Sequence, residues 1–347
     1  MSTSSSLEIA GDAAAPAAAP MLAPGAGKLL LACSFILFAV FASLPLWGGS
    51  ALLRQVTELA CLIIMAQMWN LLSGYGGLTS IGQQGYIGVG GYTLIVLANF
   101  AGLNPFLCVP LAGLMAAAIA LPASRLLFRL QGGYFAIGTW AVAEILRLLV
   151  ANHAVLGGGS GTSLTAFRGV PRAVRESATY WLAITLAFAA VALIYLLLRS
   201  RYGLALTAVR DSEVASESQG VHVARMKLAV YLLSAFGFGI AGALFFLLSL
   251  RISPDSAFGV QWTPVIVFIV IIGGIGTIEG PIVGAVLYFL VSKYFSDYGT
   301  WYMVALGLTA IVVTIRYPRG LWGWASDRYG IRLFPIQRRL HAALLDG

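Results

Sequence analysis

The feature that most constrains this chain is a series of apolar runs separated by short polar connections. Several runs approach or exceed the roughly 20 residues that carry a helix across a bilayer. In hydrocarbon every backbone N–H and C=O needs a partner inside the protein, which leaves helices or closed barrels. A barrel would show short segments of alternating polarity. The runs here are unbroken, so the fold class is all-α, a polytopic membrane protein. Composition agrees: 59% of the 347 residues are hydrophobic and only 10% are charged, too little charge to cover a soluble protein of this size. Forty glycines suit close helix packing in lipid.

Taken in order, residues 1–27 are rich in Ala, Pro and Ser, carry no cation, and read as a disordered tail. A membrane domain is expected over 28–317, with about ten crossings: 28–46, 51–72, one ending near 101, one ending near 121, 134–152, 178–198, 228–250, 262–275, 282–295 and 300–315. The eighth and ninth are short, so nine to eleven crossings fit. A basic tail, 318–347, follows. With ten crossings, 14 of the 21 Lys and Arg residues fall on the side of the termini and 7 on the other. Connections rich in Lys and Arg face the cytoplasm, which places both termini and the 199–227 connection there. Orientation thus accounts for the net charge of +8, and nucleic-acid binding is not implied. Cys33, Cys61 and Cys108 all lie in apolar runs and read as small core residues, with no metal or disulfide spacing.

The 199–227 connection is the longest polar, helix-capable insertion. It holds five cations (Arg199, Arg201, Arg210, Arg225, Lys227) and three acids (Asp211, Glu213, Glu217). Its middle reads as a short helix, with Asp211 or Ser212 as cap, Glu213 in the first turn and Gly220 at the end. A short capped helix on a cytoplasmic connection is read as a docking element.

No catalytic set emerges. His153, His222 and His341 are far apart, no serine sits in a nucleophile-elbow setting, and no cofactor or metal motif is present. Transport fits better. Residues 74–92 hold eight glycines in nineteen positions, together with Gln83 and Gln84. Close packing and non-helical passage into the membrane both fit this stretch. The break at 273–284 places glycines at 276, 280 and 284. It reads as tight helix packing or as a kink lining a pathway. Glu144 is the most interior acid, with Arg147 three residues on. A structural ion pair and a pathway role both fit. The interior offers few other acids, so energy is expected from another subunit.

Four stretches then occur in a fixed order: WNLLSGYGGLTSIGQQGYIGVGGYT (69–93), GGYFAIGTWAVAEILRLL (132–149), RYGLALTAVRDSEVASESQGVHVARMKLAVYLLSAFGFGIAGAL (201–244) and GGIGTIEGPIVGAVL (273–287). Together they resemble the LivM-type inner-membrane permease of branched-chain amino acid ABC transporters, over roughly residues 30–325. The resemblance implies that 210–220 is the coupling helix seated in a groove of the ATPase, carried here by Arg210, Asp211, Ser212, Glu213, Ala215, Glu217 and Gly220. It implies a second permease of the LivH type, two ATP-binding subunits and a periplasmic solute-binding protein, in a bacterial inner membrane. The chain itself is then a transport subunit and not an enzyme. A pathway is expected near Gln83, Gln84, Tyr86, Tyr134, Glu144, Gly276 and Gly280. Gln83-Gln84 stands where many relatives have Gly-His, which leaves open urea and short amides as solutes beside leucine, isoleucine and valine. The rival from another class is a stand-alone secondary transporter or channel, which would need its own ion site.

Overall fold

A computed structural model describes residues 26–295, 299–330 and 334. The tail expected over 1–27 lies outside these residues except for its last two, which already belong to the first helix. Arg332, Arg338 and Arg339 of the basic tail also lie outside them.

The helices are α1 (Ala26–Ser43), α2 (Ser50–Trp69), α3 (Gln84–Ile95), α4 (Pro105–Leu127), α5 (Gly133–Ala151), α6 (Arg172–Arg199), α7 (Arg201–Asp211), α8 (Glu213–Ser218), α9 (Val223–Ser249), α10 (Pro254–Phe258), α11 (Trp262–Gly273), α12 (Glu279–Phe295), α13 (Thr300–Arg316) and α14 (Gly320–Tyr329). Two strands, β1 (Thr162–Ser163) and β2 (Arg251–Ile252), pair antiparallel with Ser163 opposite Arg251.

Seven helical stretches among the described residues are long and apolar enough to cross a membrane. The expected count of ten is therefore not confirmed. The shortfall lies in the shorter apolar helices, α3 among them. With its π-helical extension Val96–Phe100, α3 reaches only 17 residues, about 25 Å against a hydrocarbon core of about 30 Å. The basic region beyond 318 is not all tail, because α14 folds back onto α11 and α12.

The core is built around α9, which packs on α2, α3 and α4. Three glycines make this possible, each turned to a different neighbour. A methyl group on Gly237 would strike Met68 of α2, one on Gly239 would strike Ala116 of α4, and one on Gly242 would strike the Ile87 backbone of α3. From the α3 side, Gly90 lies against the Gly239 backbone. Lipid is as apolar as leucine, so burying apolar surface cannot draw helices together; close backbone approach with dispersion contact can. Polar atoms add fixed points. Ser234 Oγ donates to Met68 O at 3.1 Å, and the Tyr86 and Tyr231 hydroxyls join α3 to α9 at 2.6 Å. At the periphery, Tyr180 donates to Phe41 O at 2.6 Å and Trp181 to Ala42 O at 3.0 Å, which pins the end of α1 on α6.

Because α9 is one continuous helix of 27 residues, it defines two ends of the bundle. The α7–α8 connection lies at its start. At its finish lies a cap formed by β1, β2 and the segment around residue 160. Asn99 straps this cap down: its amide donates to Ser163 O at 2.9 Å and its oxygen accepts from Thr165 N and Ala166 N at 2.9 and 3.2 Å.

Candidate functional site

The α7–α8 connection opens at Ser200, whose hydroxyl accepts from Tyr202 N at 3.2 Å and starts α7. A second cap follows eleven residues after α7 begins. Ser212, not Asp211, accepts from Ala215 N at 3.3 Å and opens α8, with Glu213 in its first turn. The chain leaves α8 through Gly220 at φ 83, a left-handed conformation that favours glycine. Lys227 of α9 donates to Glu213 at 2.6 Å and holds α8 against the start of α9. Ala215 lies within α8 as the acceptor group for the turn beyond it, since its carbonyl receives Gln219 N. Glu217 is exposed. Val214 points outward with 77% of its surface exposed, an apolar side chain at the tip of a charged connection.

The connection reaches inward through one residue. Arg210, on the last turn of α7, donates to Gly74 O at 3.1 Å while its other edge pairs with Asp211 at 3.0 Å. Gly74 belongs to a π-helical turn, Asn70–Tyr75, that continues α2. The same turn grips the break between α11 and α12. Asn70 accepts from Gly276 N at 2.8 Å and donates to Thr277 O at 2.7 Å, and Gln67 donates to Ile278 O at 2.6 Å. Gly274 and Gly276 take φ 133 and 76, so the break is irregular backbone. It is tolerated because α2 supplies the partners that a helix would have supplied. From the far side, Gly320 of α14 lies against Gly274, with no room for a side chain between them. One joint thus links α7, α2, the α11–α12 break and α14.

The expected pathway residues separate into different environments. Residues 77–83 are non-helical and mostly buried, so the glycine-rich stretch is both close-packed and broken. Its backbone is satisfied from three directions: Trp69 donates to Ser80 O at 2.9 Å, Thr263 donates to Ile81 O at 2.9 Å, and Thr139 accepts from Ile81 N at 3.3 Å. Gln83 is buried and donates to Ser80 Oγ at 3.0 Å; Gln84 is buried and accepts from Thr263 at 2.8 Å. The Gln83 oxygen and the Gln84 nitrogen have no hydrogen-bond partner among the described residues. Tyr86 is held by Tyr231 as described. Tyr134, by contrast, lies in the first turn of α5 with 76% of its surface exposed. Glu144 pairs with Arg147 at 2.6 Å, and Arg147 pairs again with Asp255 of α10 at 2.7 Å. Gly280 is a packing residue, with Gly274 O and Thr277 Oγ1 in its place for a side chain, whereas Gly276 stands in the joint beside Arg210. Asn70, Gln67 and Asn99 were not singled out by the sequence pattern; an amide inside an apolar run was the available signal for the first two.

These features define a multi-pass α-helical membrane protein with buried, partnered breaks in its spans, the construction found in transport proteins. The family described as the permease component of the branched-chain amino acid transport system matches residues 51–315. The chain belongs to that family of ABC transport permeases. It is 31% identical over 285 residues to the high-affinity branched-chain amino acid transport system permease protein LivM of Escherichia coli strain K12, covering 75% of this chain and 67% of that protein. The LivM protein of Salmonella typhimurium strain LT2 gives the same identity and coverage. A probable branched-chain amino acid transport permease protein LivM of Methanocaldococcus jannaschii is 25% identical over 254 residues, covering 67% of this chain and 72% of that one. No solved structure matches.

Proposed function

We propose that this chain is one permease subunit of an ATP-driven importer for branched-chain or other hydrophobic amino acids in a bacterial inner membrane. It pairs with a second permease of the LivH type, two ATP-binding subunits move it, and a periplasmic solute-binding protein supplies it. In this reading both termini and the α7–α8 end face the cytoplasm, in line with the charge distribution.

The observation that carries the proposal is the connected geometry of the α7–α8 end. A rigid, twice-capped lever exposes Val214 to a partner and is fixed to α9 through the Glu213–Lys227 pair. Through Arg210 it holds the π-turn of α2. Closure of the ATP-binding subunits would push on α8. The push reaches Gly74 through Arg210 and the start of α9 through Lys227. Irregular backbone at 70–75 and 274–277 gives the membrane helices a place to shift between two packed arrangements. Selectivity rests with the binding protein, so the route itself need not bind solute tightly.

The test is uptake into vesicles carrying the assembled complex. Leucine accumulation is expected to require ATP on the α7–α8 side and to persist when ionophores collapse ion gradients. Uptake that follows an ion gradient without ATP would assign the chain to the secondary transporters instead.

A further inference from the structure

At the cap end, α9 stops at Ser249 and Leu250 takes φ 59, the one non-glycine among the described residues in the left-handed region. Such a residue persists where the surroundings over-determine it, and such positions gather at binding sites. The surroundings here are clear: Leu164 N donates to Leu250 O at 2.8 Å, and Arg251 enters β2 opposite Ser163. The turn brings Ser249 and Arg251 onto one cleft of about 480 Å³, with Phe245 and Phe246 on its wall and Ser160 at its edge. That volume lies in the range of small-molecule sites.

The polar groups of the cleft divide in two. Ser160 donates to Gly157 O, and Ser253 and Ser256 bond each other in the capping box of α10. The Arg251 guanidinium and the Ser249 hydroxyl have no partner among the described residues. The nearby cap-end acids do not neutralise Arg251, since Glu144 and Asp255 are both engaged by Arg147. One unpaired fork of N–H donors, one free hydroxyl and two phenyl rings form a small set with clear chemistry. A planar guanidinium matches a carboxylate through two parallel hydrogen bonds, and the rings match an apolar side chain.

We propose that this cleft is a solute contact site, in which Arg251 receives the carboxylate of an amino acid and the Phe245–Phe246 wall receives its side chain. The proposal rests on the transport reading above, in which the cap end faces the compartment that the solute comes from.

The test uses the full chain co-expressed with its partner subunits in lipid nanodiscs, without binding protein. Radiolabelled L-leucine is bound at equilibrium, with L-leucine and L-leucinamide as competitors. The amide keeps the side chain and loses the carboxylate. The native complex is expected to favour leucine by about tenfold or more, as befits loss of a charge-assisted pair. Arg251→Gln is expected to lose that preference, and Arg251→Lys to keep only part of it, since an ammonium keeps the charge but not the two parallel bonds. Arg251 is exposed and pairs through its backbone, so neither change removes a core contact. Ser249→Ala is expected to weaken leucine about two- to threefold, the loss of one neutral hydrogen bond. Equal competition by the two ligands in the native complex, or unchanged preference in Arg251→Gln, would overturn the site. ATP-dependent leucine uptake by the same complex, reconstituted into sealed vesicles and given its binding protein, separates the two levels. If it is present, a failed preference removes the cleft alone; if it is absent, the transport reading falls with it.

Discussion

At the scale of single residues, the joint depends on amides placed inside an apolar helix. Asn70 serves two backbone groups of a break that has no helical partners of its own. Asn70→Ala is expected to leave both stranded, at about 1–3 kcal/mol for each group, read as a clear drop in melting temperature of the purified chain in detergent. Gly242 works by the opposite logic, because what matters is the absence of a side chain. Gly242→Leu would force α3 off α9 and is expected to destabilise by about 1–3 kcal/mol or more, seen as loss of folded protein in the membrane. A surface change such as Val214→Ser should leave melting unchanged. The glycines and the Glu144–Arg147 pair were legible in the sequence because packing and ion pairing follow local spacing. The Asn70 clamp was not, since its partners lie 206 and 207 positions away and no local period reports such a pairing.

At the scale of elements, the proposed lever of α7 and α8 is held by contacts that are separately weak. The Glu213–Lys227 pair is partly exposed, and exposed pairs contribute about 0–1 kcal/mol. Charge reversal at either residue should hardly change melting, yet it should lower the amount of solute moved per ATP hydrolysed. The double reversal Glu213→Lys with Lys227→Glu should restore it. Arg210→Ala is expected to let ATP hydrolysis continue while uptake falls by about tenfold, because the lever then loses its hold on Gly74; one charge-assisted bond supports an effect of that size. Replacing Gly220 by valine forces a branched residue into the left-handed region at a cost of about 1–2 kcal/mol and should impair coupling as well. The capped helix itself was readable from Ser212, Glu213 and Gly220 because caps have a residue code. Its inward contact was hidden, since Arg210 could as well have stayed in solvent among its neighbours. The cap at the other end was also hidden: two-residue strands and the Asn99 strap leave no periodic trace.

At the scale of the whole molecule, the protein is a bundle with two differently built ends. One end offers a rigid lever fastened to a broken-helix joint. The other offers a strapped cap around a cleft with an unpaired arginine. The apolar runs made the membrane class legible, and four motif stretches in order made the family legible. The number of crossings was less so, because a short apolar run such as α3 reads as a crossing by hydropathy while its helix, even with the π-helical extension, is shorter than a spanning helix needs. The central claim is that force generated by an ATP-binding partner enters through α8. The most direct measurement is site-specific cross-linking in the assembled complex, with a single short-reach cross-linker at position 214 and a control at the equally exposed Val155 of the cap end. The 214 probe is expected to link to the ATP-binding subunit and the 155 probe not to. Linkage of that subunit to position 155 but not to position 214 would contradict it.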